Sequence, residues 1–398
     1  MRSGIFIRVG TADDVTPRFP SAPRYSFPAR FGMSLATAAM RALASGVTPS
    51  GWRQHQQRIA SSSGAATSSR GLPFATDVVV PGRSRRDIGF APPDVAPPLE
   101  SEVRALASFV ADAERLLVIT GAGVSTESAI PDYRSPRGAY SRNFKPMTHQ
   151  DFMRSEENRR RYWARSFVGW NRFAERTSPN AAHDAIAALQ REGHVWRLIT
   201  QNVDRLHQRA GADPVLELHG TTHEVVCLAC GDVTPRRTLQ RALARLNPEM
   251  ARRVLEEEER ASKNTTAGSS AQRPDGDAEM DASDAAAFSV PACASCRGGP
   301  LKPAVVFFGD GVPAATHASA AEASAGADAV LIVGSSVSTF SAFRLVRDAA
   351  RRGAPVAILN AGETRCDDVA TLKVERLVGE TMPLVLDAVR RVEMYGYC

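Results

Sequence analysis

Apolar residues in this chain gather into short continuous runs, separated by longer stretches of helical periodicity. Leu116–Thr120 (LLVIT) is such a run, closed by Gly121, and reads as a strand buried on both faces. Val195–Thr200, Ala304–Phe308, Ala329–Val333 and Pro355–Asn360 are further strands by the same criterion, and Val215–Leu218 is a shorter one. Leu99–Glu114 suits an amphipathic helix, and helical stretches separate most of the strands. This alternation predicts an α/β fold, a Rossmann-like doubly wound parallel sheet. Residues 223–303 break the pattern with cysteines, a charged helical piece around Arg252–Arg260 and a polar, low-complexity run, Ala261–Asp284. Such a run buries too little apolar surface to order itself, so 261–284 is expected to be a disordered insertion in a small lobe.

Composition adds an arm and removes some partners. The 398 residues, 43% hydrophobic, suffice for a proper core. Residues 1–76 carry nine Arg, no Lys and two Asp, a charge of +7 that leaves −1 for the remainder of a chain whose net charge is +6. The basic balance therefore belongs to the arm and gives the folded part no nucleic-acid footprint. The arm is rich in Arg, Ser, Ala and Pro, and Met33–Val47 suits a short helix with an apolar face. This is the composition of an organelle transit peptide, with the mitochondrial matrix expected, a plastid as the alternative, and a plain disordered tail the structural reading. A linker (77–98), a folded domain (99–392) and a tail (393–398) follow. No run of 18 apolar residues occurs, so no membrane span is expected. Oligomeric state is open, a monomer being the default.

Four of six cysteines form two C-x2-C pairs, Cys227 and Cys230, then Cys293 and Cys296. Two such pairs can close a tetrahedral site of four thiolates around one zinc ion, which leaves no open position for chemistry. A redox dithiol is the alternative, but it needs no second pair. Cys366 and Cys398 read as ordinary thiols.

Polar and glycine-rich turns follow several strands. Gly121, Ala122 and Gly123 lie where a small-residue turn lets phosphate approach backbone N–H groups; a merely tight strand–helix turn has the same look, since Thr126 stands at the third glycine's place. Gln201, Asn202, Val203 and Asp204 follow Thr200, where either a ligand or simple helix capping would use them. Gly334-Ser335-Ser336 and Asn360-Ala361-Gly362 also follow strands, and His219 follows Val215–Leu218. The three turns Gln201–Asp204, Gly334–Ser336 and Asn360–Gly362 on one sheet edge argue for a shared site.

These strings resemble the sirtuins, NAD-dependent protein deacylases. The matching segments are GAGVSTESAIPDYRS (121–135), TQNVDRLHQRAG (200–211), ELHG (217–220), both cysteine pairs, LKPAVVFFGD (301–310), VGSSVSTFSAF (333–343) and ILNAGETRCDD (358–368). RYWARSFVGW (161–170), LNPEM (246–250), RPDGD (273–277) and FFGD look like the class II branch, which has mitochondrial members. The resemblance spans about Leu99–Val392.

The resemblance implies a set of roles. Residues 121–140, with Ser125, Thr126, Ile130, Asp132, Tyr133, Arg134 and Tyr140, would wrap the pyrophosphate and nicotinamide of NAD. Gln201, Asn202, Val203 and Asp204 would meet the ribose and nicotinamide pocket, Asn202 and Asp204 sharing in catalysis with His219 as general base. Gly334, Ser335, Ser336, Asn360, Ala361, Gly362 and Val378 would take the phosphates and adenosine. Val306, Phe307, Phe308 and Gly309 would pair with the acyl-lysine strand of a substrate protein. The products would be free lysine, nicotinamide and O-acyl-ADP-ribose. The acyl preference is not legible; Tyr140 and Arg142 would suit an acidic acyl group, or Arg142 is a solvated loop residue. The same NAD site would also serve a protein mono-ADP-ribosyltransferase, or a non-catalytic NAD-binding scaffold. The chain departs from the family with Ala129 for a glycine, Asp310 for a glutamate, and the 261–284 insertion. A methyl at 129 is harmless if φ is negative and tightens the cofactor loop otherwise.

Overall fold

The computed structural model describes residues 95–142, 145–263, 273–278 and 280–395. The transit-type arm, the linker up to residue 94 and the last three residues lie outside the described residues. In chain order the elements are α1 (Glu100–Asp112), β1 (Leu116–Thr120), a 3-10 turn (Ala122–Ser128), α2 (His149–Arg154), α3 (Glu156–Trp170), α4 (Ala181–Arg191), β2 (Arg197–Thr200), α5 (Leu206–Arg209) and β3 (Val215–Glu217). Then come β4 (Gly220–Cys227), β5 (Val233–Pro235), α6 (Arg236–Leu246), α7 (Pro248–Lys263), α8 (Ala282–Ala287) and β6 (Leu301–Val305). The chain closes with α9 (Ala314–Gly326), β7 (Ala329–Val333), α10 (Phe340–Arg351), β8 (Val356–Leu359), β9 (Leu372–Val374) and α11 (Val378–Tyr395).

The large sheet is six-stranded in the order β3-β2-β1-β7-β8-β9, and every pairing in it is parallel. The chain winds from β1 outward to β2 and β3, then returns to lay β7 against the other side of β1. Winding therefore reverses between β1 and β7, the place where open α/β sheets bind ligands. Strand residues serve two cores by simple alternation. Leu116, Val118, Leu331 and Val333 pack under α1, α4 and α11 with Val110, Ile186 and Val385. Leu117, Ile119, Val330 and Ile332 face α9 and α10 with Ala323, Val346 and Ala349. This double burial explains why the strands read as continuous apolar runs.

The second sheet is small, with β4 antiparallel to both β5 and β6. Here the sequence reading needs correction. Ala304–Phe308 was expected as a strand of the parallel sheet; the strand is Leu301–Val305, and it pairs with β4 in the lobe. A short apolar run does not say which sheet buries it. Past Val305 the backbone leaves the ladder: Val306 N donates to His219 O at 2.8 Å. The lobe also begins earlier in the chain than 223. Phe152, Tyr162, Trp163 and Phe167 of α2 and α3 join its core with Val225, Leu243 and Phe288, and Trp163 Nε1 donates to Leu301 O at 2.9 Å.

The expectation of disorder over 261–284 also fails in part. Residues 264–272 and Glu279 lie outside the described residues, but Gly276, Asp277 and Ala278 are buried and Asp284 lies in α8. Asp277 approaches Arg165 at 3.3 Å, and Ala278 N donates to Arg165 O at 3.2 Å. A distant arginine supplies the order that local composition lacks.

The four cysteines converge, with all Sγ atoms within 4.8 Å of one another. Cys227 and Cys296 are 3.6 Å apart and Cys230 and Cys293 are 3.8 Å apart. Tetrahedral bonds of about 2.3 Å require sulfurs about 3.8 Å apart, so the donor set fits one zinc ion. The cysteines join the β4 end, the turn after it and the loop before β6, so the ion closes the lobe. At the sheet switch point, the 3-10 turn ends on Ala129 with φ 73. The family's glycine position thus keeps its left-handed backbone, and the methyl makes it strained.

Two outcomes follow. The purified full chain is expected to carry about one zinc by elemental analysis; Cys296→Ser is expected to lose it and to lower the melting temperature by about 5 °C or more. Ala129→Gly is expected to raise stability against urea by up to about 1 kcal/mol, and an unchanged or lower midpoint would show that the surroundings accommodate the methyl.

Candidate active site

Two strand-end turns meet at the switch point. A Cβ added to Gly121 would come within 2.6 Å of Ser335 Oγ, and one on Gly123 within 2.7 Å of Gly334 O. Gly334 itself has φ 59 and faces the backbone of Gly123 and Val124. Backbone packs on backbone here, which no side chain at these positions would allow. The turns border a cavity of about 1520 Å³.

The strand-end polar residues of β2 tie the floor together. Gln201 Nε2 donates to Ser335 Oγ at 2.7 Å and to Thr120 O at 3.1 Å. Asn202 Nδ2 donates to Gly121 O at 3.0 Å and to Ser125 Oγ at 3.1 Å. Ser125 Oγ donates to Asp204 Oδ2 at 2.8 Å, while Leu206 N donates to Asp204 Oδ1 at 3.0 Å. Burial pushes the Asp204 carboxyl above its ordinary range, and the Leu206 amide and Ser125 hydroxyl oppose that shift. Asp204 therefore both accepts from the first amide of α5 and fixes the glycine turn.

His219 sits between the end of β3 and the start of β4. Its Nδ1 lies 3.1 Å from Gln201 O, and its Nε2 lies 2.8 Å from Ser341 Oγ. A carbonyl only accepts, so Nδ1 carries the proton and Nε2 is left as the unprotonated nitrogen facing Ser341 Oγ. Burial lowers the His219 pKa, and the Gln201 carbonyl opposes it. The imidazole is thus neutral at pH 7 with its basic nitrogen at the cavity wall.

The remaining expected residues mostly share this cavity. Ala122, Thr126, Ile130, Asp132, Tyr133, Arg134 and Val203 line it beside the first turn. Ser336, Asn360, Ala361, Gly362 and Val378 line it past β7 and β8. Asn360 Nδ2 donates to Gly362 O at 2.9 Å, which shapes that turn. Val306, Phe307, Phe308 and Gly309 form the lobe-side edge, and His149 N donates to Phe308 O at 2.9 Å. Tyr140 is not part of that lining; it packs at a tilt of 46° on Tyr133, centroids 5.6 Å apart, with the Arg134 guanidinium over its ring at 5.4 Å. The Arg142 side chain and residues 143 and 144 lie outside the described residues.

Sequence reasoning passed over Ser341, Thr339 and the pair Pro274 and Asp275, all of which line the cavity. Ser341 follows the turn after β7, and nothing in its spacing announces a partner 122 residues away. His207 was likewise unassigned; its Nε2 lies 2.9 Å from Thr120 Oγ1, and burial pushes its pKa down to about 4.

Comparison with known proteins agrees with this geometry. The model of the Sir2 family matches residues 121–341. The NAD-dependent protein deacylase SRT2 of Arabidopsis thaliana is 48% identical over 296 residues, covering 74% of this chain and 79% of its own. The NAD-dependent protein lipoamidase sirtuin-4, mitochondrial, of Homo sapiens is 43% identical, covering 76% of this chain and 91% of its own. A solved Sir2 structure with a deacetylated peptide and 3′-O-acetyl-ADP-ribose matches with TM-score 0.52 and 27% identity, covering 74% of this chain and 98% of that one. With its parallel sheet, its four-cysteine lobe and its histidine at the shared cavity, the chain belongs to the Sir2 family.

Proposed function

We propose that this protein is an NAD-dependent protein-lysine deacylase that passes the acyl group to ADP-ribose and releases nicotinamide. The observation that carries the reading is His219, fixed between Gln201 O and Ser341 Oγ and lining the same cavity as both glycine turns. Named relatives act as a deacylase and a lipoamidase, which supports the reaction class.

The chain's own groups suit NAD. Gly121–Gly123 and Gly334–Ser336 border the cavity with small residues only, where a pyrophosphate needs close approach to the chain. Asn202 and Asp204 hold the first turn, and in this reading Asp132 meets the nicotinamide carboxamide and Arg134 lies near the phosphates. Asn360, Ala361, Gly362 and Val378 border the adenosine end. When bound, NAD supplies a sugar carbon that becomes electrophilic as nicotinamide departs. His219 removes a proton from a hydroxyl brought to Nε2, in the place that Ser341 now occupies. A pKa lowered by burial keeps the imidazole available as a base near pH 7.

The partner is an acylated lysine on a protein, lying along Val306–Gly309. A zinc ion held by all four cysteines would be structural, since no coordination position is left open. A mitochondrial location is supported by the Arg-rich, acid-poor composition of residues 1–76 and by the mitochondrial sirtuin-4 relative.

Nicotinamide release from NAD by the full chain is expected to depend on an acyl-lysine peptide and to fall by about 100-fold or more in His219→Tyr. Release of labelled ADP-ribose onto protein without peptide would favour the transferase reading instead, and bound NAD without any release would favour a scaffold. The acid limb of kcat/KM is expected below pH 6.5, because burial lowers the base from that ordinary value and activity is lost only as pH falls through the lowered pKa. A limb at or above 6.5 would remove His219 from the role of free-enzyme base.

A further inference from the structure

The cavity runs out from His219 between α9 and α10. His317, Ala321 and Ser324 line it on α9, and Ser341, Arg344, Asp348 and Arg352 line it on α10. Intervals of three and four residues put each set on one face of its helix. Ser341 fixes where this groove begins, because its Oγ lies 2.8 Å from His219 Nε2. From there α10 carries Arg344, Asp348 and Arg352 progressively away from the base, Arg352 by about 16 Å along the helix axis. An extended chain of about five residues spans that distance. Ser324 Oγ donates to Leu345 O at 2.8 Å, and both residues are buried, so the two helices touch at the groove floor.

The entrance is aromatic and the wall is basic. Phe308 and Phe340 line the cavity from the lobe side and from the start of α10, and both rings are exposed. Aromatic residues are enriched at protein contacts. Along α10 stand Arg344, Arg347 and Arg351, with Arg352 at its end, against one acid, Asp348. Arg347 holds Asp348 at 2.8 Å. Asp310, which also lines the cavity, is met by Lys302 and His149, each at 3.2 Å. Arg365 adds a further guanidinium, stacked 4.2 Å from the ring centroids of Phe340 and Phe343. Arg344 is exposed at the groove and pairs with no carboxylate among the described residues.

We infer that the α9–α10 groove receives one flank of the substrate polypeptide beside the acyl-lysine and selects flanks that carry carboxylates, with Arg344 as a specificity-determining residue. The inference rests on the deacylase reading, in which the acyl-lysine lies along Val306–Gly309. Val306 N donates to His219 O, so that edge and the groove meet at the base. The glycine turns take the phosphates of NAD in the same reading, which leaves the groove to the substrate chain. A polypeptide crosses the base in one direction, so only one of its two flanks enters. Exposed guanidinium–carboxylate contacts are individually weak and sensitive to salt, so the preference acts through KM.

Three peptides around one acyl-lysine decide the matter: three Asp on the N-terminal flank, three Asp on the C-terminal flank, or Asn in all of these places. Each is made in acetyl and lipoyl forms. With the full chain, saturating NAD and about 0.05 M salt, kcat/KM from nicotinamide release is expected to be about fivefold higher for one Asp flank than for Asn, with no gain for the other. At about 0.5 M salt the gain is expected to fall below about twofold. Arg344→Gln is expected to remove the gain, and Arg344→Glu to reverse it in favour of Lys at the same peptide positions. The Asn peptide, the KM for NAD and the melting temperature are expected to stay unchanged in both variants. Fluorescence anisotropy of labelled peptides reads the same ratios without turnover. Equal use of Asp and Asn peptides, a gain on both flanks alike, or a gain that survives Arg344→Glu would overturn the inference and leave deacylation standing. The charge of +7 on residues 1–76 would draw both acidic flanks alike. Absence of binding and of nicotinamide release with every peptide would overturn the deacylase reading and this inference with it.

Discussion

The contact between two glycine turns, Gly121–Gly123 after β1 and Gly334 after β7, is what the rest of the site depends on. Adjacent parallel strands set these turns side by side, and only a missing Cβ on each lets the backbones touch. That contact places strand-end amides and hydroxyls on one rim. Asn202, Ser125 and Asp204 then lock the first turn, and Gln201 ties it to Ser335. A side chain at Gly123 or Gly334 would spread the strands' ends, and the hydrogen bonds that hold His219 would move with them.

The zinc lobe has a second task in this architecture. Its four cysteines close a fold with few strands, but its other end faces the cavity through β6 and the Arg273–Ala278 turn. The hydrogen bond from Val306 to His219 O joins lobe and base directly. Aromatic packing of Phe152 on Phe307, with centroids 5.4 Å apart, fixes the same edge from behind. Cys227, Cys293, Phe152 and the cavity-lining Phe307 thus share one core, although four thiolates would leave a bound metal no position open for chemistry.

Burial decides the protonation states around the cavity, and it acts with opposite signs on acids and bases. It lowers His219 and His207 and raises Asp204 and Asp275. A neutral imidazole at the wall is the useful result, since a charged one would repel the positive sugar carbon that the reaction generates. The Asp204 carboxyl is held against this trend by three short-range donors, among them the Leu206 amide and the Ser125 hydroxyl.

Periodicity alone determined the parallel sheet, because strands buried on both faces must be continuously apolar, and LLVIT or AVLIV admit few other readings. The cysteine spacing likewise determined a closed metal site, since two C-x2-C pairs leave little else for four thiols to do. The glycine turns, QNVD and His219 were legible as strand-end groups. Tertiary structure decided the rest. Ala304–Phe308 looked like another core strand, yet the choice between two sheets belongs to long-range pairing with β4. The sign of φ at Ala129 depends on how the turn ends against its surroundings, which the letter Ala does not encode. Ser341 and Asp275 reach the cavity only because residues 122 positions away and an arginine in another helix hold them there. Local composition marked the Asp275 segment as disordered, since polarity and small residues are local properties, whereas the burial that ordered it came from Arg165, Gly169 and Phe173.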